Sequence, residues 1–113
     1  MSNIDFLDKT LQVKIDKPLG SKHPTYDFIY PVNYGYVQNT MNDDCKKIDC
    51  YILGVYKPLK EYKGKCIAKI HRLNENNDKL IISPVNKYFS DIEIKVLTEF
   101  QEQYFKSKII RSS

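Results

Sequence analysis

Long apolar runs are absent from this sequence, and with them the roughly 20 consecutive apolar residues that a bilayer-spanning helix needs. The first residues, Met1-Ser2-Asn3-Ile4-Asp5-Phe6, carry neither the basic nor the apolar region of a secretory signal. Cysteine is scarce and odd in number, at Cys45, Cys50 and Cys66. That argues against a secreted disulfide framework and for a reducing compartment, so a cytoplasmic location is expected. Cys45, Cys50 and His71 do not make a structural zinc site, because the cysteine spacing is too wide and no second pair exists. Cys50 and Cys66 are expected as small core residues in strands. The net charge of +4 comes without a dense basic block, and no RNP, helix-turn-helix or zinc-finger pattern occurs. Steering of small anions fits that charge better than nucleic-acid binding. No repeat, low-complexity tract or linker divides the chain. Its 113 residues, 42% hydrophobic and 28% charged, read as one globular domain over 1–113.

What is present is mostly strand pattern. Leu11-Gln12-Val13-Lys14-Ile15-Asp16 alternates apolar and polar residues, and Lys17-Pro18-Leu19-Gly20-Ser21 ends it. Tyr26 to Tyr30 reads as a short strand, and Tyr34 to Gln38 as another. Ile48 to Val55 is rich in β-favouring residues. Lys65 to Arg72 and Lys79 to Ser83 flank the turn-forming run Asn74-Glu75-Asn76-Asn77-Asp78, which predicts a hairpin. Ser90 and Glu93 form a capping-box signature that opens the one helical segment. Ile92, Val96, Phe100 and Tyr104 recur along that segment and predict its apolar face. Short strands followed by one helix predict a mainly β fold: a small closed OB-like β-barrel with one C-terminal helix packed on it.

The run Tyr30-Pro31-Val32-Asn33-Tyr34-Gly35-Tyr36 is unusual for a buried strand. Pro31 removes a ladder donor, and Gly35 marks a bend or a close backbone approach. An acidic loop follows, Asn42-Asp43-Asp44-Cys45-Lys46-Lys47-Ile48-Asp49. Asp44 and Asp49 fit a hard divalent cation, which wants oxygen ligands. The same spacing also fits a solvated acidic turn. Asp78 and Lys79 sit at a hairpin exit, which reads either as a plain surface turn or as an acid and a base facing one cleft, to supply a metal ligand and a phosphate partner. Tyr34, Tyr104 and Lys22 are candidate donors to a phosphate oxygen, with core packing the rival role for Tyr104.

These segments resemble the soluble inorganic pyrophosphatases with a small β-barrel core, and the likeness runs from about Val13 to about Tyr104. The family's Tyr/Phe-Pro-x-Asn-Tyr-Gly-Tyr segment matches Tyr30 to Tyr36. Its Asp-Gly-Asp-Pro-x-Asp-Val-Leu loop falls on the acidic loop. Pro58-Leu59 with Gly64, Lys79-Leu80-Ile81-Ile82-Ser83-Pro84, and Phe100-Gln101-Glu102-Gln103-Tyr104 follow in the family's order. The resemblance implies Mg²⁺-dependent hydrolysis of pyrophosphate, with Mn²⁺ as a substitute. Metals about 3.5–4 Å apart activate a water and neutralise the phosphoryl groups. By position it implies catalytic roles for Tyr34, Asp49, Lys79 and Tyr104. Substrate contacts fall on Lys22, Tyr34, Lys79 and Tyr104. Metal ligands fall on Asp44, Asp49 and Asp78, with Asp16 and Glu75 as further candidates. It also implies a small phosphoanhydride as partner, neither nucleic acid nor membrane, and a homo-oligomer as an open option.

The chain departs from the family pattern at several acids, as a shortened and divergent member. Lys46 stands where the middle loop aspartate is expected, and Asn77 where another is expected. The hairpin before the Tyr-Pro segment is missing, and Phe105 replaces the lysine after the helical tyrosine. Fewer carboxylates bind a hard cation less tightly. A weakened or altered pyrophosphatase is expected, and the alternative is a catalytically inactive module that binds phosphate or another anion.

Overall fold

The structure, a computed structural model, describes residues 6–37, 47–73 and 77–111. Apolar–polar alternation shapes strand β1 (Thr10–Lys17), which buries Val13 and Ile15 while Lys14 and Asp16 stay exposed. The next elements are β2 (Asn33–Val37), β3 (Ile48–Ile52), β4 (Glu61–Arg72) and β5 (Asn77–Ser83), followed by α1 (Asp91–Glu102) and β6 (Ser107–Ile110). The strands are ordered β1-β2-β3-β5-β4, and β1 pairs again with β4, so five strands close into a barrel. Neighbours run antiparallel except β3 and β5, which are parallel, with Cys50 opposite Leu80. β6 extends the sheet along β4.

Period-two alternation separates two apolar clusters. Val13, Ile15, Val37, Ile48, Cys50, Ile52, Cys66, Leu80 and Ile82 fill the barrel. The opposite, outer face carries Tyr34, Tyr51, Ala68, Ile70 and Ile81, and Ile94 of α1 packs against it. Both cysteines are thus fully buried core residues, as the sequence predicts. Burial pushes the Cys66 thiol up to about 12, which makes it inert.

A bulge gives the barrel its shape near Tyr34. Ile15 pairs with Gly35, but Lys17, not Asp16, pairs with Tyr34, so Asp16 is the extra residue. Gly35 makes this possible: a Cβ there would lie 2.0 Å from the Lys14 carbonyl oxygen. Asn33, with no exposed surface, ties down the neighbouring loops. Its Oδ1 accepts from the Leu19 and Leu59 amides at 2.9 and 3.0 Å, and its Nδ2 donates to the Lys57 carbonyl at 2.9 Å.

Several sequence expectations need correction. Tyr26 to Tyr30 is not a strand; Ile29 makes an isolated bridge to Lys22. Asn77 and Asp78 belong to β5, not to a turn. β6 follows the helix and was not anticipated. The capping box is present, with the Glu93 amide donating to Ser90 Oγ at 3.2 Å and the Ser90 amide donating to Glu93 Oε1 at 2.8 Å. The buried face of α1, however, is Ile94, Thr98, Gln101 and Glu102. Ile92 and Val96, assigned inward from their spacing, are 76% and 68% exposed. Phe100 of the predicted stripe, with Leu97 beside it, does pack on the outer apolar cluster, and hydrogen bonding beneath the helix, described below, shapes the rest of this face.

Candidate functional site

Three sequence-predicted residues from three strands converge on the outer face. Tyr34 of β2 lies opposite Tyr51 of β3, Asp49 precedes the inward-facing Cys50, and Lys79 of β5 lies opposite Ile70. The Tyr34 hydroxyl donates to Asp49 Oδ2 at 2.9 Å, and Lys79 Nζ donates to the same oxygen at 2.8 Å. The Lys79 side chain is 7% exposed and that of Asp49 40%. The cation therefore sits beneath, and the carboxylate reaches solvent.

The bulge brings a second carboxylate to this side, since bulges re-aim side chains next to functional sites. Asp16 and Asp49 both act on Tyr30. Burial first, then these two charges, push the Tyr30 hydroxyl up to about 12. Tyr34 and Tyr51 are driven higher still, chiefly by burial and then by the charges of Asp49 and Glu102 respectively. The folded state thus keeps protons that the unfolded chain, whose tyrosines titrate near 10.0, gives up. This contribution to stability is complete below that pH and declines as pH rises toward 12. The urea midpoint is therefore expected to fall through this window, and Tyr30→Phe is expected to reduce the fall.

Other predicted site residues lie elsewhere. Asp78 does not share a cleft with Lys79, because adjacent strand residues face opposite ways. Asp78 faces the barrel side, where Oδ1 meets His71 Nδ1 at 2.7 Å and Oδ2 meets Lys69 Nζ at 3.4 Å. Asp78 is thus separated from Asp49, a correction to the metal set read from sequence. Lys22 is an exposed residue 3.8 Å from Asp27. Tyr104 lies past the end of α1, 55% exposed, and stacks on Tyr26 with ring centroids 5.2 Å apart. That stack continues through Phe28 and Tyr30 to Tyr34. Asp44, Lys46 and Glu75 lie outside the described residues.

Sequence reading missed the polar network under α1. Arg72 donates to Glu102 twice, Nε to Oε1 at 3.1 Å and Nη2 to Oε2 at 2.6 Å. The Tyr51 hydroxyl donates to Glu102 Oε2 at 2.5 Å. Gln101 Nε2 donates to the Tyr51 oxygen at 2.8 Å, and the Tyr30 hydroxyl donates to Gln101 Oε1 at 3.2 Å. Arg72 also lies 3.7 Å over the Phe105 ring. Its partners are far apart in the chain, so no local pattern announces it.

Among the described residues, no group of three or more His, Cys, Asp or Glu side chains is placed to hold a metal. Asp49 and Asp16 are nonetheless the oxygen donors a hard cation prefers.

The inorganic pyrophosphatase family model matches residues 6–110. No curated protein matches the chain. Solved structures of similar fold include an inorganic pyrophosphatase from Ehrlichia chaffeensis, with a TM-score of 0.67 at 15% identity over 90% of this chain and 85% of that one. An inorganic pyrophosphatase from Helicobacter pylori gives 0.66 at 18% identity, over 91% and 85%. One from Neisseria gonorrhoeae gives 0.53 at 22% identity, over 88% and 73%.

Proposed function

We propose that this chain, which belongs to the inorganic pyrophosphatase family, hydrolyses inorganic pyrophosphate in the cytoplasm with Mg²⁺. The observation that carries the reading is the meeting of Tyr34, Asp49 and Lys79 on one oxygen. The fold family uses Mg²⁺, and the donors present suit it: Asp49 at the start of β3 and Asp16 at the bulge; the resemblance adds Asp44, which lies outside the described residues. Bound Mg²⁺ would neutralise phosphoryl charge and lower the pKa of a water. Lys79, buried and cationic, supplies a fixed positive charge next to the same carboxylate, suited to an oxyanion developing on the leaving phosphate. Tyr34 supplies one hydroxyl proton. Directed at Asp49 in the free protein, it is available to a phosphate oxygen once that carboxylate is neutralised by a cation. Tyr104 and Lys22, both exposed and away from the Asp49 cluster, are assigned to the outer phosphate by the resemblance alone. Asp78 takes no part.

Purified protein with Mg²⁺ and pyrophosphate is expected to release phosphate, with activity lost in EDTA and restored by Mg²⁺ or Mn²⁺. A folded sample with no release above background would overturn the reading.

One observation favours a second reading. The Lys79 ammonium already neutralises Asp49 at 2.8 Å, and Lys46 and Asn77 replace family acids. A module that binds phosphate without metal or turnover fits those facts. Calorimetry separates the two: phosphate binding in EDTA, without hydrolysis in Mg²⁺, supports the module.

A further inference from the structure

One row of side chains crosses four strands on the outer face of the barrel. Lys14 of β1 lies opposite Tyr36 of β2, and Tyr36 lies opposite Asp49 of β3. Directly opposed residues share a face, with Cβ atoms about 4.5–5.5 Å apart. Lys79 of β5 completes the row through its 2.8 Å bond to Asp49. Lys47, just before β3, joins from the side: its Nζ lies 4.3 Å from the centre of the Tyr36 ring. A cation over a tyrosine face is held by the ring without being neutralised. Asp49 therefore has an ammonium group on each side, Lys79 from β5 and Lys47 from the side of β2. Lys79 is already paired, whereas no carboxylate among the described residues pairs with Lys14 or Lys47. With Lys14, Lys47 and Lys79 set against Asp49 and the Asp16 carboxylate at the bulge, this surface keeps a positive charge in excess.

From this row we propose that Lys47 is a substrate-binding residue, one that selects anions carrying two linked phosphoryl groups over a single phosphate. Tyr36 and Lys79 stand on strands two spacings apart, roughly 9–10 Å at the backbone. One phosphoryl group meets Lys79, and a second, joined through a bridging oxygen, is needed to meet Lys47 as well. The Tyr36 ring holds the Lys47 stem and leaves its N–H groups free to donate to a phosphate oxygen, the strong, charge-assisted kind of hydrogen bond. The family's loop pattern has proline at the place of Lys47, so this cation is the chain's own. It supplies charge neutralisation that bound metals give where carboxylates are plentiful. The proposal rests on Asp49 and Lys79 marking the phosphate site, and not on turnover.

Calorimetry in EDTA tests this, with pyrophosphate and inorganic phosphate as the two probes. Lys47 is exposed, so its replacement leaves the fold intact. Loss of one charged hydrogen bond is expected to weaken pyrophosphate binding about tenfold in Lys47→Met, and phosphate binding by less than about twofold. Lys47→Arg keeps both the charge and the ring contact, and binds pyrophosphate within about twofold of wild type. Lys87→Met removes the same charge from an exposed position in the loop before α1 and leaves both affinities unchanged, which separates a contact from general attraction. Pyrophosphate affinity in Lys47→Met equal to wild type, or an equal loss for phosphate, would overturn the proposal. A wild type that binds neither anion would remove the phosphate site itself, and the proposal with it. Phosphate release in Mg²⁺ is measured separately: its absence removes hydrolysis, yet the binding series still decides the role of Lys47.

Discussion

Asp49→Asn is expected to lower pyrophosphate turnover by at least about a hundredfold, the scale on which loss of one preorganised charge-stabilising group acts. Three effects combine. The substitution removes a carboxylate from a site that the resemblance leaves short of acids, with Lys46 and Asn77 in place of two expected aspartates. It leaves the Lys79 ammonium, 7% exposed, beside a neutral amide. It also takes from Tyr34 the acceptor that orients its proton. Steady-state phosphate release at saturating Mg²⁺ checks the expectation. If the variant turns over like the wild type, Asp49 has no part in binding metal. A modest loss of stability is expected alongside, because Asp49 is partly solvated and water softens the loss of the ion pair.

Glu102→Leu is expected to cost about 3–5 kcal/mol of folding stability, the usual penalty for removing one partner of a buried ion pair. The Arg72 and Glu102 side chains are 7% and 5% exposed, so water cannot replace the carboxylate easily. Tyr51, fully buried, loses the acceptor of its hydroxyl as well. A domain of this size is stable by only about 5–15 kcal/mol, so the urea midpoint should drop steeply. The double variant Arg72→Met with Glu102→Leu is expected to lose clearly less than Glu102→Leu alone, since neither charge of the pair then remains buried. If Glu102→Leu leaves the midpoint unchanged, the network has no structural role.

The parts of the molecule written in local pattern were readable from sequence. Alternation in Leu11 to Asp16 placed β1, and Ser90 with Glu93 placed the start of α1. Gly35 marks a bend or a close approach in the sequence, and the structure shows the close approach, to the Lys14 carbonyl across the bulge. Tyr34, Asp49 and Lys79 were named from the motifs that carry them, and the three meet on the outer face. The errors lie where long-range contacts override local pattern. Ile92 and Val96 have helical spacing, yet Gln101 and Glu102 turn inward because Tyr30, Tyr51 and Arg72 wait for them across the sheet. Asp78 is next to Lys79 in sequence, but strand alternation sends it to His71 and Lys69 instead. Arg72 and Gln101 carry no motif of their own, so only the closed barrel reveals that they meet around Tyr51 and Glu102. The bulge at Asp16 likewise depends on pairing with a strand that begins far along the chain.

The most direct measurement is a crystal structure of the protein soaked with Mn²⁺ and phosphate, read for anomalous density. The expected result is an ion bound by Asp49 on the outer face of the barrel, with phosphate within reach of Lys79 and Tyr34. An Asp49 still closed on Lys79 at saturating Mn²⁺, with no ion beside it, would contradict the account.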